Sequence, residues 1–93
     1  MKIVNFFSAL GDETRLKILK SLIDKDKTVT EIHKSIRGLT LSAVSHQLKY
    51  LSDLDIVIYK KKGKEKIFHL NDKFCWCILN DAFKHFKNDK RNN

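Results

Sequence analysis

The sequence predicts a mainly helical domain with one β-hairpin, and three observations carry that prediction. Apolar residues recur at three- and four-residue spacing from Ile3 to Leu54, and again from Phe74 to Phe86. Between these stretches lie Ile56-Val57-Ile58-Tyr59 and Lys66-Ile67-Phe68-His69-Leu70, two runs rich in β-branched and aromatic residues around a lysine-rich segment at Gly63. A length of 93 residues suits one domain, read as 1–93, with so thin a core that a partner subunit would help.

Each element has its own signal. Ile3, Val4, Phe6, Phe7 and Leu10 mark a short apolar first helix that stops near Gly11. Asp12 is a good N-cap for a second helix to about Leu22 or Ile23, with Leu16, Leu19, Leu22 and Ile23 on one face. Thr28 followed by Glu31 is a capping-box pattern, so a short third helix begins there, buries Ile32 and Ile36 and ends at Gly38. Thr40 caps a fourth helix to about Leu54, whose buried stripe is Val44, Leu48 and Leu51. After the hairpin a last helix is expected from Asn71 or Asp72 to about Lys87, with Phe74, Ile78, Leu79, Ala82, Phe83 and Phe86 on its apolar face. The third and fourth helices, joined by a short turn with a glycine, have the outline of a helix-turn-helix.

Composition narrows the function. Nineteen Lys and Arg against eleven Asp and Glu give a formal charge of +8, which suits a polyanionic partner, nucleic acid before an anionic membrane. No apolar run approaches the roughly 18 residues of a membrane span. The N-terminus lacks the pattern of a signal peptide, so the chain is expected in the cytoplasm and not at a membrane. Two cysteines, Cys75 and Cys77, do not make the disulfide framework of a small secreted domain. No Gly-rich phosphate loop, evident carboxylate pair or Ser-His-Asp motif points to an enzyme.

The charge is placed where a DNA reader needs it. A recognition helix carries short polar or basic side chains near its N-terminus, where it lies deepest in the major groove. Thr40, Ser42, Ala43, Ser45, His46 and Lys49 supply this pattern: the serines and His46 suit bases or phosphates, and Lys49 suits the backbone. Gln47 has the groups for a bidentate adenine contact only if it faces the groove. Lys60, Lys61, Lys62, Lys64 and Lys66 against the one acid Glu65 make a basic hairpin tip that can straddle adjacent phosphates or enter the minor groove. A protein-interaction module that keeps the fold without reading DNA is the alternative, and it has no need of such a tip.

Three segments resemble the ArsR/SmtB repressors. Ala9-Leu10-Gly11-Asp12-Glu13-Thr14-Arg15-Leu16-Lys17-Ile18-Leu19 is similar to the opening motif of that family. Ser42-Ala43-Val44-Ser45-His46-Gln47-Leu48-Lys49-Tyr50-Leu51 resembles its recognition helix, and Leu41 departs from the polar residue usual just before it. Lys62-Gly63-Lys64 and Ile67-Phe68-His69-Leu70 resemble the wing. The resemblance covers about residues 7 to 72. It implies a winged helix-turn-helix repressor with a two-stranded wing, acting as a homodimer on double-stranded DNA. The helices near 1–11 and 72–88 would then form the dimer interface, in accord with their excess of large apolar residues.

Family members commonly release DNA on binding a metal ion, so both of the family's metal positions bear on function. Thr28 and Thr30 stand where one site has a Cys-x-Cys pair, and a threonine hydroxyl is a poor ligand for soft metals. At the other site, on the last helix, Asp72 and His85 match two ligands, while Phe74 and Asn88 fall at the other two. No cofactor is therefore required, although Cys77, Asp81 and His85 share a stripe and with Asp72 are the candidates for a different metal site. Cys75 and Cys77 would point to nearly opposite sides of a helix, which speaks against an unstrained intrachain disulfide. Packing as small apolar residues, an intersubunit or redox role, and metal binding all stay open for the two thiols.

Overall fold

The second, third and fourth helices each start at a side chain that accepts an amide proton the helix itself leaves unpaired. A computed structural model describes residues 1–87. In it α1 (Lys2–Leu10) runs to Gly11, and Asp12 accepts from the Arg15 amide at 3.0 Å to open α2 (Glu13–Ile23). Thr28 and Glu31 form the expected capping box at α3 (Val29–Ser35): the Glu31 amide donates to Thr28 Oγ1 at 3.2 Å and the Thr28 amide to Glu31 Oε1 at 2.8 Å. Thr40 accepts from the Ala43 amide at 3.0 Å and opens α4 (Leu41–Asp53). Gly38, in the turn between α3 and α4, has φ of 83°, a backbone that a β-carbon would strain.

The hairpin forms as expected and gains a strand. β2 (Val57–Lys62) and β3 (Glu65–Leu70) pair antiparallel, with Val57 opposite Leu70 and Lys62 opposite Glu65. A two-residue turn joins them, and Gly63 takes the positive φ, 64°, that such turns demand. On the far side of β3 lies β1 (Lys27–Thr28), with Lys27 opposite Phe68 and Thr28 opposite Ile67, so the strand order is β1-β3-β2. Residues 24–27 read as a polar turn in the sequence; a strand of two residues has no periodicity to display, and only pairing with β3 creates it.

The core draws on every helix and on the sheet: Ala9, Ile18, Leu19, Leu22, Ile32, Val44, Leu48, Leu51, Ile56, Val57, Phe68 and Leu79 are all buried. The three stripe residues of α4 are among them, as its spacing predicts.

The last helix departs from the reading. α5 spans Cys77–His85 and does not begin at Asn71 or Asp72. Asn71, buried at the end of β3, gathers the chain that follows into a turn: its side-chain amide donates to Asp55 O at 2.7 Å, its Oδ1 accepts from the Lys73 amide at 3.0 Å, and its carbonyl accepts from the Trp76 indole at 2.9 Å. Phe74 lies stacked on Phe6 of α1, ring centres 4.8 Å apart. A second correction follows. Because Cys75 lies ahead of the helix, the divergence of side chains along a helix does not apply to it, and Cys75 and Cys77 are joined in an intrachain disulfide with Cα atoms 5.5 Å apart. Asn88, the end of the expected interface helix, lies outside the described residues.

The capping box supplies a pH-dependent contribution to stability. The Thr28 amide hydrogen bond holds the Glu31 carboxyl below its usual range, helped by the Thr28 hydroxyl, Lys25 and Lys27. A carboxyl depressed in the folded state stabilises above its unfolded pKa, and the gain is lost as pH falls through the folded value. Glu31→Gln should therefore lower stability at neutral pH, with the gap to wild type closing at acid pH, below the usual carboxyl range. Thr28→Ala should cost about 1 kcal/mol. Urea unfolding of the three proteins at both pH values measures each difference.

Candidate nucleic-acid interface

Burying Val44, Leu48 and Leu51 turns a defined row of α4 outward. Ser42, Ser45, His46 and Lys49 are exposed on it, and Leu41 at the start of the helix is 47% exposed. Thr40 spends its hydroxyl on the Ala43 amide, so it positions the helix start and keeps only its remaining hydroxyl capacity for a ligand. Ala43 is half-buried. Lys49 lies 3.3 Å from Asp53, an exposed pair one helical turn apart, which is weak enough to be exchanged for a phosphate.

Gln47 does not belong to this row. It is half-buried, and its Oε1 accepts from Arg15 at 3.2 Å. The condition for an adenine contact is not met, because the side chain is turned towards α2.

Arg15 is the residue that sequence reasoning missed, having noted it only as part of a motif. Its Nε donates to the carbonyl of Ala9 in α1 at 3.0 Å, and its guanidinium lies 4.4 Å from the Tyr50 ring centre. One cation thereby connects α1, α2 and two positions of α4. Further along, His33 Nε2 donates to Leu39 O at 2.7 Å and holds the turn that leads into Thr40.

The hairpin stands beside α4. Lys60, Lys61, Lys62, Lys64 and Lys66 are all exposed, and Lys66 Nζ lies 4.5 Å from the Tyr59 ring centre. Ser45 and Lys49 of α4 and Tyr59 and Lys66 of the hairpin line one groove of about 470 Å³. The structure thus brings the two sets of candidates onto adjoining surfaces.

The candidate metal ligands are not brought together. Asp72 lies in the turn held by Asn71, Asp81 and His85 are exposed on α5, and the Cys77 sulfur is bonded to Cys75. Among the described residues no three His, Cys, Asp or Glu side chains converge on a point. Phe74, at one of the family's ligand positions, is packed on Phe6.

Comparison with known proteins bears on this arrangement. A family model described as "Bacterial regulatory protein, arsR family" matches residues 12–59, from the cap of α2 into β2. The chain belongs to the ArsR family. A cadmium resistance transcriptional regulatory protein CadC homolog of Staphylococcus aureus is 34% identical over 86 residues, covering 91% of this chain and 70% of that protein. A transcriptional repressor SmtB homolog of Synechocystis is 28% identical, covering 92% of this chain and 64% of that one. A homodimeric winged helix-turn-helix DNA-binding domain, Mb0332 from Mycobacterium bovis, superposes with a TM-score of 0.80 at 17% identity, covering 99% of this chain and 84% of that one, a likeness that shows the fold. In ArsR terms, α3 and α4 are the helix-turn-helix and β2–β3 the wing. The protein is a winged-helix transcriptional regulator and not an enzyme.

The Arg15 connection has a measurable strength. A hydrogen bond from a charged donor contributes roughly 1.5–3 kcal/mol, less at half exposure, so Arg15→Met should destabilise the fold by about 1–2 kcal/mol. In a double-mutant cycle with Gln47→Met the two changes should be coupled by about 0.5–1 kcal/mol. Additive losses would mean that Arg15 holds Ala9 and Tyr50 but not Gln47.

Proposed function

We propose that this ArsR-family regulator acts in the cytoplasm as a homodimer that binds double-stranded DNA sequence-specifically and represses transcription. The observation that carries the reading is the shared border of the exposed α4 row and the lysine hairpin, a polar reading edge next to a strongly basic one. Ser42, Ser45 and His46 meet the major groove, and Lys49 with Lys60, Lys61, Lys62, Lys64 and Lys66 holds the flanking phosphates.

Exposed apolar surface supports the dimer. Ile3, Val4 and Phe7 of α1 are each 58% exposed, and Ile78 and Phe86 near α5 are 71% and 55% exposed. A groove of about 610 Å³ lined by Ile3, Phe6, Phe7, Leu54 and Phe74 runs along the α1 part of this surface. That much apolar surface on so small a protein favours a partner, and two-fold symmetry supplies one with the same surface. No helix among the described residues is long and apolar enough to cross a membrane. We read DNA binding as independent of metal, because among the described residues Asp72, Asp81 and His85 do not converge and the Cys77 sulfur is bonded to Cys75.

A salt-controlled titration against the DNA upstream of its own gene tests the reading. Affinity should fall by roughly 0.9 log units per tenfold rise in salt for each phosphate neutralised. Lys61→Glu with Lys62→Glu should lower affinity on the order of tenfold or more and flatten that slope. Gln47→Ala should leave discrimination between operator and random DNA unchanged, and added zinc should change nothing. An unaltered slope in the lysine variant would remove the wing from the interface, and no preference for any DNA would favour the protein-interaction module.

A further inference from the structure

The segment Asp72-Lys73-Phe74-Cys75-Trp76 contains no glycine or proline and continues the apolar pattern of α5, yet the helix starts only at Cys77. The beginning of a longer helix is already built. Asn71 Oδ1 accepts from the Lys73 amide, the bond an N-cap side chain makes to the second residue of its helix, and the Phe74 amide donates to Asn71 O at 3.2 Å. Beyond the gap, α5 continues to His85. Between these two pieces lies the Cys75–Cys77 disulfide. Side chains two apart on a helix diverge by about 200°, so the bridge and a continuous helix through residues 75–77 exclude each other.

We propose that Cys75 and Cys77 form a reversible oxidation site whose disulfide stops α5 at Cys77 and whose dithiol form lets the helix run back to the Asn71 cap. Both residues are exposed, so a hydroperoxide reaches either sulfur. One thiolate attacks a peroxide oxygen and the O–O bond breaks. The sulfur becomes a sulfenic acid and the remaining oxygen leaves, protonated, as an alcohol or water. The other thiol attacks the sulfenic sulfur; the S–S bond forms, the S–O bond breaks, and the hydroxyl leaves as water with the thiol's proton. Two thiols have lost two electrons and the hydroperoxide has gained them. A dithiol reductant reverses the change through a mixed disulfide.

The acceptor that the longer helix needs is occupied in the disulfide form. In a continuous helix Asn71 O receives the Cys75 amide, whereas here it receives the Trp76 indole at 2.9 Å. That carbonyl also accepts from the Phe74 amide at 3.2 Å, so lengthening α5 exchanges one of its two donors for the Cys75 amide and turns residues 74–76 relative to Phe6, on which Phe74 now stacks. The contact between α1 and the start of α5 is rebuilt. Only its consequence for a partner subunit rests on the dimer proposed above.

Residue-resolved amide hydrogen exchange on the full chain, hydroperoxide-treated and dithiol-reduced, is the test. Intact mass should show the loss of two hydrogens on oxidation, and a non-reducing gel should show a single-chain product. On reduction, exchange at the amides of Cys75, Trp76, Cys77 and Ile78 should slow about tenfold. Emission from Trp76, the only tryptophan, should shift with it. The double variant Cys75→Ser, Cys77→Ser should exchange like the reduced chain before and after hydroperoxide. Equal exchange in the two forms of the wild type, or a product bridged between chains, would overturn the proposal. Neither DNA nor the dimer face enters the measurement, so its outcome is separate from that of the titration above.

Discussion

Val44, Leu48 and Leu51 lie along one line of α4, and burying all three fixes the rotation of that helix about its own axis. Each such side chain is worth about 1.5–3 kcal/mol when removed from water, so exposing even one of them costs a large part of a small domain's stability. No contact made by an exposed serine or histidine competes with that. The outward row of Ser42, Ser45, His46 and Lys49 is thus set by the inward one. Its members are free to vary chemically without disturbing the helix they stand on, which suits the DNA-reading role proposed for them.

Arg15 adds a second level of control over the same helix. Apolar burial fixes rotation, whereas the hydrogen bonds from Arg15 to Ala9 O and Gln47 bind the end of α1 to the flank of α4. A guanidinium suits this position because its rigid fork of donors reaches a backbone carbonyl and a side-chain amide at once, while its flat face lies near Tyr50. Lysine's compact ammonium lacks both the spread of the fork and the flat face that these contacts use. The surface proposed for dimer contact and the surface proposed for DNA are consequently joined by one side chain in the motif that begins α2.

Legibility from the sequence followed how local each determinant is. The caps of α2, α3 and α4 were readable because Asp12, Thr28 and Thr40 act within three residues of themselves. The hairpin was readable because alternation and a glycine turn are also local. β1 escaped because its partner is some forty positions away in β3. The start of α5 was placed too early because its local pattern is helical, and what interrupts it is a set of contacts from elsewhere: Asp55 to Asn71, Phe6 to Phe74, and the bridge between the cysteines. Of the candidate site, the outward row and the basic tip were visible as pattern, but the inward turn of Gln47 depends on Arg15, 32 residues earlier. The metal candidates shared a stripe of sequence without sharing a point in space, since a stripe along one helix needs a second element to close it.

Thr28 is at once the last residue of β1 and the N-cap of α3. Through it the sheet that carries the lysine tip runs directly into the helix pair whose second member carries the exposed row. The hairpin and α4 therefore stand like the two jaws of a caliper, joined through Thr28 and facing one groove. On the DNA-binding reading proposed above, a new operator would be reached most directly by exchanging exposed side chains within each jaw, since these residues are not part of what joins the jaws.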